Sequence, residues 1–191
     1  MRFRSVTLLF LLFVPGPAVA APSDPHIRSL DSKLTKTISE GVTRSHTFAS
    51  IVDSLEQSNV IVYVGFNAQL PPGIGGRTTF LTSSGRWRYL HIAICPRLSE
   101  FQRIAMVAHE LHHALEISSS PDVHDRRSLK ALYQAIGEPA LCRNECFETA
   151  SAIDAANDVD RELRRPANKR ADPAGVAHSS QDRGDVVATE E

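Results

Sequence analysis

The chain has 191 residues, 42% of them hydrophobic and 23% charged, the balance of a globular protein long enough to bury one core. That balance excludes a collagenous, largely disordered or multi-pass membrane protein. With 21 basic against 22 acidic residues and a formal net charge of -1, nothing marks nucleic acid or an anionic membrane as the main partner.

Residues 1–20 read as a secretory signal peptide. Arg2 and Arg4 give a positive start, Val6 to Val14 is an apolar run, Pro15-Gly16-Pro17 breaks it, and Ala18-Val19-Ala20 is a small-x-small cleavage site. The run is about half of the roughly 20 residues that span a bilayer, and no second candidate follows. The expected product begins at Ala21 after cleavage behind Ala20, is secreted or periplasmic, and has no stable membrane insertion. An oxidising compartment would let cysteines pair. Cys95, Cys142 and Cys146 are odd in number, and which of them pair stays open. Their spacing lacks the paired short knuckles of a structural zinc site.

Residues 21–45, polar and carrying Pro22 and Pro25, are expected to form an amino-terminal arm with a weak helical pattern around Leu30 to Ile38. Phe48, Ile51, Val52 and Leu55 recur at helical spacing and predict a short amphipathic helix over 46–57. Val60 to Phe66 predicts a strand, bounded by Asn67 and the turn Pro71-Pro72-Gly73. Thr78 to Leu81 and Arg86 to Ile94 predict a hairpin turning at Ser83-Ser84-Gly85. In its second strand Trp87, Tyr89, His91 and Ala93 alternate with Arg88, Leu90, Ile92 and Ile94.

From Pro96 the pattern turns helical. Ser99 and Gln102 form a capping box, and Phe101, Ile104, Ala105, Ala108, Leu111 and Leu115 make an apolar stripe that ends at Ser118-Ser119-Ser120-Pro121. A shorter helix is predicted over Arg127 to Ile136, stopped by Gly137. A last long helix is predicted from behind Pro139 to about Leu163. Residues 166–191 have no aromatic side chain and few aliphatic ones, and are expected to be a disordered tail.

The strongest helix contains His109-Glu110-x-x-His113, the HExxH pattern. Histidines four apart project from one helical face and can hold one zinc ion, while the glutamate one step on reaches the water that the metal activates. Glu110 is therefore the expected general base, and metal-assisted hydrolysis the expected chemistry. His112 points away from the line of the two ligands. A catalytic zinc needs a third protein ligand. The metzincin continuation, Gly three and His six residues after the second histidine, is absent, because those positions are Glu116 and Ser119.

Downstream stands Asn144-Glu145-Cys146-Phe147-Glu148, followed by small residues. With this segment the sequence resembles the gluzincin metallopeptidases, in which HExxH on one helix and a glutamate on the next complete the zinc site. The resemblance covers roughly His46 to Leu163. It implies a zincin-like α+β domain over 46–165, with a small sheet packed on the HExxH helix and on a second, glutamate-bearing helix. It implies Glu148 as third ligand beside His109 and His113, with Glu145 in reserve and His124 as rival. It also implies that the strand Arg86 to Ile94 borders the cleft and pairs with an extended peptide. Many gluzincins carry an aspartate four residues after the glutamate ligand to orient a histidine; here that position is Ala152, and Asp154 is off-register. The residue that would stabilise an oxyanion stays open among His91, His124 and Tyr133, and His26 and His178 are expected to be incidental.

The function expected from the sequence is exported, zinc-dependent hydrolysis of a peptide or protein substrate. The alternative is a noncatalytic exported zinc-binding or interaction protein with the same fold.

Overall fold

The computed structural model describes residues 24–139 and 147–165. The signal peptide, the tail, Glu145, Cys142, Cys146 and His178 lie outside the described residues. In chain order the elements are β1 (Ile27–Arg28), α1 (Ser32–Arg44), α2 (His46–Glu56), β2 (Val60–Phe66), β3 (Gly76–Ser84), β4 (Trp87–Ile94), α3 (Glu100–Ser118), α4 (Arg126–Ile136), β5 (Glu138–Pro139), β6 (Phe147–Glu148) and α5 (Ala150–Arg164). The fold is α+β. Among the described residues no helix is long and apolar enough to cross a membrane.

The main sheet has the order β1-β2-β4-β3, with β1, β2 and β4 parallel and β3 antiparallel to β4. The β3–β4 hairpin turns at Gly85, whose φ of 55° lies in the left-handed region that glycine enters without a Cβ penalty. Alternation in β4 works as its sequence predicts, because Leu90 and Ile92 are fully buried while Tyr89 and His91 are only partly covered. Strand β4, however, is interior. Both its edges are taken, by β2 and β3, so the strand at the cleft edge of the sheet is β3 and the expected peptide pairing of Arg86 to Ile94 does not stand.

Helix α3 lies on the inner face of the sheet. Its Ile104, Val107, Ala108 and Leu111 join Val60, Val62, Leu90, Ile92 and Phe80 in one core. Each large apolar side chain buried this way contributes about 1.5–3 kcal/mol. The helix starts as its capping box predicts, with the Gln102 carboxamide oxygen accepting from the Ser99 backbone N–H at 3.1 Å. Its carboxyl end is held by Arg88. This side chain, 5% exposed on the inward face of β4, donates to the carbonyls of Ile117 at 2.6 Å, Ser118 at 2.9 Å and Ser120 at 2.7 Å. A cation at that position also opposes the negative end of the helix dipole.

Residues expected to form an arm instead supply β1 and α1. Asp31 caps α1 by accepting from the Lys33 and Leu34 backbone N–H groups, and Leu34 is fully buried in the core. The approach of α1 to α2 is close enough that a Cβ at Gly41 would sit 2.7 Å from the Phe48 ring. His26 is likewise structural: its backbone N–H donates to the Glu56 carboxylate at 2.9 Å, and its ring meets Trp87 edge to face. Helix α5 closes the bundle against α3, and its Glu162 accepts from Ser45 and Thr47 at the start of α2. Among the described residues Cys95 is a buried free thiol.

Candidate metal centre

The helical four-residue spacing does what its geometry requires. His109 and His113 emerge from one face of α3, 7% and 6% exposed, with ring centroids 4.8 Å apart. Glu148 meets them, but not from a helix. It stands on the two-residue strand β6, which pairs with β5 through Glu138↔Glu148 and Pro139↔Phe147, and α5 begins only after its cap Thr149. The Thr149 hydroxyl accepts from the Ala152 backbone N–H, so the helix start is fixed immediately beside the glutamate.

Glu148 Oε2 lies 2.7 Å from His109 Nε2 and 3.6 Å from His113 Nε2. The candidate ligand atoms of the three residues all fall within 4.8 Å of one another. That oxygen is buried and, though within ion-pair distance of His109 Nε2, makes no aligned hydrogen bond among the described residues. A buried carboxylate oxygen without an aligned hydrogen bond is costly, and a cation between it and the two Nε2 atoms would satisfy all three. His109, His113 and Glu148 could therefore hold a metal ion. His124 is no part of this group: its side chain is exposed and its Nδ1 contacts the Asp122 carbonyl.

A carboxylate absent from the sequence reading organises the group. Glu116 Oε2 sits 2.9 Å from His113 Nδ1, while Oε1 accepts from the Thr149 hydroxyl at 2.6 Å and the Ser151 hydroxyl at 2.8 Å. The tautomer with Nδ1 protonated leaves Nε2 as donor to a metal. Ala152, where the resemblance led to an aspartate, is buried in α5, and Asp154 is exposed. The orienting carboxylate thus comes from α3 itself. Its signal is present in the sequence, since a glutamate three residues after a histidine shares its helical face.

Glu110 is buried at 4% exposure and accepts from the Thr78 hydroxyl at 2.8 Å. Room for its carboxylate depends on Gly76 of β3, where a Cβ would come 2.5 Å from Glu110 Oε1. Burial pushes the Glu110 pKa up, against the lowering pull of His113, His109 and Thr78. Burial opposes charge on His113, yet the hydrogen bond to Glu116 and the nearby carboxylate of Glu148 outweigh it and hold its pKa up at about 9. Glu116, despite its burial, is held down at about 2 by His113, Thr149 and Ser151. The flanking His109 and His113 hold Glu148 down at about 2 as well. His112 faces Glu116 at 3.9 Å instead of the triad.

The triad opens on a cavity of about 340 Å³ between β3 and α4, lined by Thr78, Phe80, Glu110, His113, Tyr133 and Glu148 among others. Of the three residues left open for an oxyanion, only Tyr133 is here. Its ring meets His113 edge to face, and its hydroxyl donates to the His113 main-chain carbonyl at 3.2 Å. His91 is opposite Thr79 and Tyr63, on the face of the sheet turned away from α3. Compared with known proteins, the chain matches no family model, no curated protein and no solved structure.

Proposed function

We propose that this protein is an exported zinc-dependent peptidase of gluzincin type, with zinc held by His109, His113 and Glu148. The observation that carries the reading is the buried Oε2 of Glu148, without an aligned hydrogen bond, between two imidazole nitrogens, with a fourth side chain, Glu110, buried in the same cavity. Two neutral imidazoles and one carboxylate are a donor set suited to a catalytic zinc, which keeps a position open for chemistry. Zinc, when bound, supplies Lewis acidity that polarises a carbonyl and brings the pKa of water to about 7.

The chain's own groups supply the remainder. Glu110 takes a proton from the attacking water as its oxygen adds to the peptide carbonyl, and returns it to the amine nitrogen as the C–N bond breaks. Burial favours this role, because it raises the carboxyl toward the working pH. Thr78 holds Glu110 Oε2 in place, and Glu116 holds His113 by its far nitrogen. A noncatalytic zinc protein would have no use for a buried base at this position. Export rests on the amino-terminal segment described above and belongs to the same proposal.

The test is zinc content by elemental analysis in wild type, Glu148→Gln and Glu110→Gln, with peptide cleavage followed in the same samples. One zinc per chain, weakened in Glu148→Gln and retained without cleavage in Glu110→Gln, is the expected result. Failure of the wild type to take up zinc from added metal overturns the reading. Zinc with no cleavage of a mixed peptide library leaves the noncatalytic alternative.

A further inference from the structure

We propose that the cleft beside the metal centre selects a peptide carrying an acidic side chain close to the bond to be cut, and that Arg126 and Lys130 receive its carboxylate. The inference rests on the peptidase reading and names its substrate class.

Arg126 and Lys130 are four residues apart on α4 and share one helical face. Both line the cavity that contains His113 and Glu148, and between them the same face contributes Leu129 to the wall. Arg126 reaches across to the sheet, where its Nε donates to the main-chain carbonyl of Phe80 at 3.4 Å. A guanidinium has five N–H donors in a planar fork, so this contact, made by Nε, leaves the terminal N–H groups geometry for a carboxylate. Lys130 has a partner within the chain, and an incoming carboxylate would add to or exchange with it.

The charge around the cavity is divided. Among the described residues its lining carboxylates are Glu110 and Glu148, both beside the histidines, whereas Arg77, Arg126 and Lys130 line it elsewhere. A divalent ion on Glu148 would neutralise the acidic side, and the positive charge of Arg126 would then face the ligand beside Lys130 and Arg77, which have partners within the chain. A ligand in that space therefore gains by presenting a negative group to α4. The carboxylate could belong to an internal side chain or to a chain end. Strand β3 favours the first: Gly76 to Phe80 line the cavity, Arg126 contacts the strand at Phe80, and the strand runs on to Ser84, so a peptide lying beside it has strand to follow beyond the cations.

The experiment uses the zinc-loaded full chain and matched peptides, acetylated and amidated, with Glu or Gln scanned through the positions around one cleavable bond. A third set carries the Gln sequence with a free carboxyl terminus. Cleavage by wild type gives kcat/KM, and calorimetry on zinc-loaded Glu110→Gln protein gives Kd without turnover. The Glu peptide should be preferred by about tenfold at one position, as a charge-assisted hydrogen bond implies. The preference should vanish in Arg126→Gln/Lys130→Gln with zinc content unchanged. It should pass to a Lys peptide in Arg126→Glu/Lys130→Glu, a gain that a misfolded variant would not show. Equal binding of Glu and Gln peptides, a preference that survives the double variant, or binding of the free-terminus set alone would each overturn the proposal. Preferential binding of the Glu peptide with no cleavage would uphold the carboxylate subsite and sink the peptidase reading.

Discussion

His113 and Glu116 stand one turn apart on α3, with Nδ1 2.9 Å from Oε2, and the other oxygen of Glu116 accepts from Thr149 at 2.6 Å, next to Glu148. One carboxylate therefore braces a histidine of the candidate triad and the segment that delivers its glutamate. Such outer partners of metal ligands are worth about 10- to 100-fold in affinity. Glu116→Gln keeps the shape but removes the charge, and should weaken zinc binding by about that range, measured by competition with a chromophoric chelator. Thr149→Val, which removes the second arm and the α5 cap but leaves the contact of Glu116 to His113, should weaken it less. Unchanged affinity in both variants would show that the brace is incidental to the metal.

Gly76 offers a way to move the base without touching the triad. An added Cβ would meet Glu110 Oε1 at 2.5 Å and Glu110 Cγ at 2.7 Å, so Gly76→Ala has to push that carboxylate aside. General-base catalysis is worth about 10²–10⁴-fold, and Gly76→Ala should lose a large part of it while zinc stays bound. Full activity in that variant would mean that the position of Glu110 does not matter to the reaction.

Arg88 is the most exacting buried charge away from the site. Burial lowers its pKa, but its guanidinium is matched to the last carbonyls of α3 and to the Asn59 side chain. Arg88→Met would strand several buried acceptors and should cost about 3 kcal/mol or more, read from urea unfolding. Arg88→Lys should recover only part, because an ammonium cannot fork across separate carbonyls. Since α3 carries both histidines, loss of zinc affinity should accompany the loss of stability.

The parts of this architecture that were legible in the sequence are those with a long period. Alternation over Trp87 to Ile94 and the capped stripe from Ser99 onward repeat often enough to identify a strand and a helix, and HExxH falls on the latter with its geometry implied. The strand under Glu148 has only two residues, and its cause is a pairing with Glu138 and Pro139 that no local pattern reveals. The alanine-rich segment beyond Thr149 is helical in its own right, and reading that helix backward through Glu148 crosses the cap that ends it. Glu148, implied by the resemblance, still joins the two histidines in a group that could hold a metal, because that group asks for a carboxylate and not for a helix. Gly76 and Thr78 gave no signal at all: their contacts to Glu110 span more than thirty positions of chain and exist only once β3 lies on α3. Leu34 was missed for a related reason, since a polar helix with few apolar residues looks like a linker until α2 and α3 cover it.

The same electrostatics predict how metal and protons compete. The folded pKa of His113, about 9, lies above its ordinary 6.5, so the stability it contributes is complete below about 6.5 and is lost as pH rises through about 9. Glu116 and Glu148, held at about 2 against an ordinary 4.5, contribute stability that is present above about 4.5 and lost as pH falls toward 2. The metal-free chain should therefore be most stable between about pH 4.5 and 6.5, and urea midpoints across pH would show it. A metal needs neutral imidazole, so binding near pH 7 has to expel the proton that His113 carries between its two carboxylates. Calorimetric titration of zinc in two buffers of different ionisation enthalpy should report about one proton released per chain. With zinc in place the alkaline loss of stability should disappear, because His113 is then neutral throughout. Uptake of zinc without proton release would mean that His113 is already neutral in the free chain, and that Glu116 and Glu148 face it without holding its charge.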